Sequence, residues 1–309
     1  MASVALDADP ADLVSMRGHV TALLAEFLDR KARTAAAHEL PSEITETLRD
    51  FLLFGGKLLR PLLCVTGWHA AGSNGGLRPV LQVAASLEMF HAFALIHDDL
   101  MDDSATRRGR PTVHRVFTAR HTGGHSERAA AHFGAGAAIL IGDLALAWSD
   151  ELLHTAGLAP RQLACVLPHL DAMRTEVMYG QYLDLLTAGR PTADVDAALT
   201  VVRYKTAKYT LERPLHLGAA LAGADRTVLG ACTDYALPLG EAYQLRDDLL
   251  GVFGSPAQTG KSALDDLRDA KATVLIALAL QAASPAQADR LRALIGNPRL
   301  GEDGATDVA

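Results

Sequence analysis

The sequence predicts an all-α protein, and three observations carry that expectation. Nearly every long segment is rich in Ala and Leu, with apolar residues at three- and four-residue spacing, the period of a helix with one buried face. Alternating strand patterns bounded by turn residues are scarce. Punctuated stretches (GSNGG, HTGGHSE, AGRPTAD and GSPAQTGKS) separate the periodic segments.

Taken in order, helices are expected over residues 11–35, 41–54, 57–71, 79–103, 126–156, 160–187, 194–223, 226–253 and 271–283. The 79–103 helix is core material up to Ile96 and then ends in four carboxylates, Asp98, Asp99, Asp102 and Asp103. The 126–156 helix holds the most apolar run, Phe133 to Trp148, which is expected to be too short to span a bilayer and carries Asp143 in its middle. The 226–253 helix ends in a second carboxylate pair, Asp247 and Asp248, one turn after Gln244. No internal repeat, charge block or flexible linker marks a boundary, so 1–309 is expected to form a single domain. Its polar, Gly-rich tail from about 296 is expected to fray.

Composition narrows the function classes. Hydrophobic residues make up 49% and charged residues 21%, which excludes a disordered or fibrous chain. A net charge of -7 argues against general nucleic-acid binding. Cys64, Cys165 and Cys232 are odd in number, scattered and set among apolar neighbours, as expected of reduced core thiols in a cytoplasmic protein. The acidic start MASVALDADPADL lacks the layout of a signal peptide.

The carboxylates carry the chemistry. Asp98 and Asp102 are four residues apart on one helix face, and His91 lies two turns earlier on the same stripe. Two like charges at a helix C-terminus oppose each other and the macrodipole. A hard divalent cation would remove both penalties, and oxygen donors select Mg²⁺ or Ca²⁺. An EF-hand is excluded, because Asp103 stands where its loop needs glycine. The alternative is a solvated helix end. The second pair, Asp247–Asp248, taken alone fits a surface face, but two such helices in an all-α chain can face each other and hold metal between them.

Cations complete the pattern. FGGKLLRP offers Lys57 and Arg60, ATRRGRPTVH offers Arg107 and Arg108, and YKTAKYT offers Lys205 and Thr206. Lys261 follows in TGKS and Lys271 in DAKAT. Singly each is an ordinary surface group. Together with Mg²⁺ they are the means by which proteins hold diphosphates. GSPAQTGKS is not a P-loop: five residues separate Gly254 from Gly260, and a helix precedes it.

The ordered series GGK..RP, HDDLMDD..RRGRPTVH, GQYLDL, KTA, YQLRDD and TGK resembles the trans-isoprenyl diphosphate synthases, or polyprenyl synthetases, over more than two hundred residues. The resemblance implies a helical bundle around a deep central cavity, a homodimer, and head-to-tail joining of isopentenyl diphosphate to an allylic diphosphate with three Mg²⁺. It implies that Lys57, Arg60, His91 and Arg108 hold isopentenyl diphosphate. Arg107, Lys205, Thr206, Gln244, Lys261 and Lys271 would address the allylic diphosphate, with Asp98 and Asp102 binding two metals and Asp247 the third. Phe93, five residues before Asp98, would floor the pocket for the prenyl tail. The unsplit DDLMDD motif and that single phenyl ring resemble geranylgeranyl diphosphate synthases, with farnesyl diphosphate the alternative product.

The series departs from the family pattern at Gly251, where the second motif normally ends in Asp, at Ser262 after Gly260–Lys261, and at Ala270 and Ala272 around Lys271. Family members also normally continue into further C-terminal helices. Two rival expectations stand beside an active synthase. A non-catalytic subunit of a heteromeric synthase need not keep the first Asp and Arg sets, and a terpene cyclase has no use for Lys57, Arg60 and His91.

Overall fold

The computed structural model describes residues 12–73, 76–254, 267, 268, 270–297 and 299–301. Its described regular secondary structure is helical apart from two two-residue strands, Thr106–Arg107 and Arg110–Pro111. The helices are α1 (Leu13–Ala37), α2 (Glu43–Leu53), α3 (Leu59–Ala70), α4 (Leu77–Met101), α5 (Val113–His121), α6 (Glu127–His154), α7 (Pro160–Thr187), α8 (Val195–Val201), α9 (Arg213–Leu221), α10 (Arg226–Phe253), α11 (Val274–Ala282) and α12 (Pro285–Leu294). The all-α expectation is met.

Local sequence explains where several helices begin. Asp12, Ser126, Asp194 and Thr273 each accept a backbone N–H from the first turn of the helix they precede, and Ser284 with Gln287 forms a capping box. Two elements escaped the sequence. The helix Val113–His121 is short and carries little apolar periodicity, and Pro285–Leu294 lies beyond the last expected helix. The expected 194–223 helix proves to be three pieces, because Val202–Glu212 between α8 and α9 is wound as a π-helix.

The chain divides into two compact units, residues 1–105, 110–170 and 214–232 in the first, and 106–109, 171–213 and 233–309 in the second. In the first, α4 is buried along almost its whole length, from Leu77 to Ile96, and α1, α2, α3, α5 and α6 pack against it. Such a helix is apolar all round because it has no solvent face. In the second unit, Leu267, Ile276, Leu280, Ala288, Ile295 and Leu300 form one apolar cluster, and Ala198, Val202, Val274 and Ala277 form another.

Of the tail from 296, Leu300 is 2% exposed, and its carbonyl accepts hydrogen bonds from Arg268. Two expectations need correction. Cys64 and Cys232 are core thiols, but Cys165 is exposed. The apolar run 133–148 sits in a 28-residue helix that, like α4, is long and apolar enough to cross a membrane; 33% of its apolar window is buried, against 67% for α4.

Candidate active site

In the first unit, the loop from Phe54 to Leu58 joins α2 to α3 and presents Lys57. Gly55 takes a positive φ of 73°, which only glycine adopts without strain, and Leu58 follows at φ 50° with its side chain buried. Lys57 is exposed and Arg60 half-buried at the second residue of α3. That helix start carries the positive end of the macrodipole, a setting that favours an anion. His91 is half-buried on α4.

The end of α4 divides its four carboxylates between different tasks. Asp99 is 2% exposed. Asp103, at φ 50°, is engaged by α5: its Oδ2 lies 2.9 Å from Arg115 Nη2 and its Oδ1 3.4 Å from His114 Nε2. Burial and the Arg115 charge push the His114 imidazole below the usual histidine range, more than the neighbouring carboxylates raise it. Thr112 closes the intervening loop by donating to the Ser104 carbonyl at 2.7 Å. Asp98 and Asp102 are half-buried, and the Asp102 N–H caps the helix on the Asp98 carbonyl at 2.9 Å. Their carboxylates are hard oxygen donors of the kind that could hold Mg²⁺. No cage of three or more acidic, His or Cys side chains stands ready among the described residues.

In the second unit, four of the expected residues line one recess of about 100 Å³: Lys205, Thr206, Gln244 and Lys271. Asp184, Asp248 and Thr273 line it with them. Thr206 Oγ1 donates to Gln244 Oε1 at 2.8 Å, and Gln244 Nε2 donates to Asp248 Oδ1 at 2.9 Å. Lys205 Nζ lies 2.5 Å from Asp184 Oδ2. Of the second pair, Asp248 is 8% exposed and faces this network, whereas Asp247 is exposed and is not part of the lining. Arg107 and Arg108 also fall in this unit, with Arg108 at φ 53°. Lys261 lies outside the described residues. Asp184 was missed as a site residue, although it is the lone carboxylate in the otherwise uncharged stretch GQYLDLL.

A family model described as polyprenyl synthetase matches residues 41–307. The crystal structure of a geranylgeranyl pyrophosphate synthase from Corynebacterium glutamicum, complexed with isoprenyl diphosphate and magnesium, is similar at a TM-score of 0.90 and 44% identity, over 96% of this chain and 85% of that one. A geranylgeranyl diphosphate synthase of Mycobacterium tuberculosis is 36% identical over 79% of this chain, a match spanning 63% of the relative's own length. A geranylfarnesyl diphosphate synthase of Aeropyrum pernix is 33% identical, over 79% of this chain and 72% of the relative.

Proposed function

The chain belongs to the polyprenyl synthetase family, and on that premise we propose that it is a Mg²⁺-dependent prenyltransferase joining isopentenyl diphosphate head-to-tail to an allylic diphosphate. The observation that carries this reading is the recess where Lys205, Lys271, Thr206 and Gln244 meet. Two ammonium groups with a hydroxyl and an amide suit a diphosphate, which would take Lys205 from Asp184 and exchange for the Thr206–Gln244–Asp248 hydrogen bonds. Lys57, Arg60 and His91, on the α2–α3 loop, α3 and α4, are assigned to isopentenyl diphosphate, with Arg108, and Arg107 to the allylic partner.

Loss of the allylic diphosphate leaves a carbocation and a more negative leaving group. Lys205 and Lys271 stabilise that developing charge. Asp98, Asp102 and Asp247 would hold Mg²⁺, which would supply further electrostatic stabilisation of a diphosphate leaving group. The double bond of isopentenyl diphosphate attacks the cation and a proton is then lost, so no enzyme nucleophile is needed. Apolar helices such as α4 exclude the water that would quench the cation.

The favoured product is geranylgeranyl diphosphate, supported by Phe93 and by two of the relatives' names. A homodimer in the cytoplasm completes the proposal. An exposed stripe on α7 (Met178, Tyr179, Tyr182, Leu185 and Leu186) is the kind of apolar face a partner covers. Incubation with labelled isopentenyl diphosphate, Mg²⁺ and each allylic primer, followed by product sizing, tests the reading. Absence of any elongated product would refute it in favour of a non-catalytic subunit.

A further inference from the structure

We infer that Glu176 is a positioning residue that sets the helical register of Val202–Glu212, the segment presenting Lys205 and Thr206 to the recess. The inference rests on the proposed function for what the register serves, and on geometry alone for what holds it.

The segment is π-helical over eleven residues. A π-helix is rare and is usually confined to a single turn, so a run of this length needs support from outside itself. Glu176, on α7, supplies it. Its Oε1 accepts from Lys208 Nζ at 2.6 Å and from Arg213 Nη2 at 2.7 Å, while its Oε2 accepts from Arg213 Nε at 2.7 Å. Lys208 and Arg213 are five residues apart. In an α-helix that spacing turns side chains about 140° from one another, too far for one carboxylate to grip both from the side. Hydrogen bonding from i to i+5 winds the pair back onto one face. The fork on Glu176 therefore favours the π register over the α register.

The network is nearly closed to solvent. Side-chain exposure is 17% for Glu176, 17% for Lys208, 14% for Arg213 and 5% for Glu212. Glu212 accepts from Thr233 Oγ1 at 2.8 Å, and its other oxygen lies 3.9 Å from Lys208 and 3.8 Å from Arg213. Two carboxylates thus balance two cations. One turn beyond Glu176 on the same face of α7 stands Gly180, where a Cβ would lie 2.5 Å from the Lys205 amide nitrogen. On α10, a Cβ at Gly240 would lie 2.5 Å from Ala207 Cα. Two glycines thus accommodate the segment where it carries Lys205, and the ion fork fixes it three and eight residues further on, at Lys208 and Arg213.

The test uses the full chain carrying Glu176→Gln, which is isosteric, and separately Lys208→Met, which removes one tine of the fork. Substrate-free hydrogen exchange across 202–212, melting temperature, kcat and KM for isopentenyl diphosphate are measured for each. We expect exchange at Thr206 to Lys208 to accelerate at least tenfold and kcat to fall ~10- to 100-fold, the cost of a misplaced site, with KM for isopentenyl diphosphate little changed. A lower melting temperature with wild-type kcat and exchange in the segment would overturn the inference, leaving only a stabilising network. Should Glu176→Gln fail to fold, Lys208→Met decides. If the wild-type protein condenses no substrates, the proposed function falls, while the exchange measurement still decides the register.

Discussion

Lys205 and Asp184 are in contact as an ion pair, 2.5 Å from amine to carboxylate, on the wall of the recess that also holds Lys271. In the proposed reading the ammonium is thereby held in place before substrate arrives, which lowers the ordering cost of binding an anion there. Lys205→Ala should raise KM for the allylic primer by at least tenfold and leave that for isopentenyl diphosphate nearly unchanged. Lys57→Ala or His91→Ala should do the reverse. Steady-state kinetics with each substrate varied in turn checks the division. Weakening of the same substrate by both sets would show that the two anion sites are wrongly assigned.

Much of this arrangement was legible in the sequence, for physical reasons that differ by residue. The helix Leu77–Met101 announced itself because twenty-odd residues of apolar periodicity leave no other way to bury it. The convergence of Lys205, Thr206, Gln244 and Lys271 follows their motif order. What the sequence concealed was register and partnership. Nothing in VRYKTAKYTLE distinguishes i+4 from i+5 winding, because the choice is made by Glu176 and two glycines elsewhere in the chain. The division of labour among the four α4 carboxylates was hidden for the same reason: Asp103 is claimed by Arg115, twelve residues on.

Asp98→Ala should cut turnover by on the order of 10² to 10³, the loss typical when one charge-stabilising group is removed. Asp247→Ala is expected to act similarly, even though that side chain is exposed in the free protein, because Mg²⁺ sites of this kind are completed by substrate phosphates. Chelation with EDTA should abolish turnover and added Mg²⁺ restore it. Near-normal rates in Asp98→Ala would exclude the metal assignment.

Acid stability should report on Glu176. Burial alone would raise its carboxyl, but the hydrogen bonds and charges of Arg213 and Lys208 outweigh it, and the group sits below its ordinary value of 4.5. A depressed folded-state value means that the unfolded chain takes up the proton more readily. The stabilisation is therefore complete above the ordinary value and is lost as pH falls through the folded one. The melting-temperature deficit of Glu176→Gln should be constant from neutral pH down to about 5 and shrink below that. A deficit that shrinks already near neutrality would contradict the ion fork.

Thiol labelling gives an independent check on the core. Burial pushes Cys64 up to about 12 and raises Cys232 as well, while Cys165 is exposed. Thiolate is the reacting species, so native protein at pH 8 should take up one maleimide per chain, at Cys165. Cys165→Ser should abolish that rapid phase. Three fast equivalents would mean that the described core is open.

In the proposed reading, product length turns on Phe93. Five residues of helix put it about 7.5 Å before Asp98 along the α4 axis. Its ring packs tilted against Phe90 at 5.2 Å between centroids and meets the His97 imidazole edge-on at 4.8 Å. Phe90 is 1% exposed and Phe93 9%, so the first is embedded in the core and the second is the one at its margin. His97 is itself anchored on α6 through the Ile139 carbonyl at 3.2 Å, which leaves Phe93 little room to swing. A ring held on both sides makes a firm stop for a growing apolar chain, whereas a mobile one would yield a mixture. Phe93→Ala should therefore shift products longer by at least one isoprene unit while primer ionisation continues. Phe90→Ala should mainly cost stability, in the range of about 3 to 5 kcal/mol for a buried phenyl ring. An active Phe93→Ala enzyme with an unchanged product distribution would show that Phe93 is a core aromatic and that the stop lies elsewhere along the pocket.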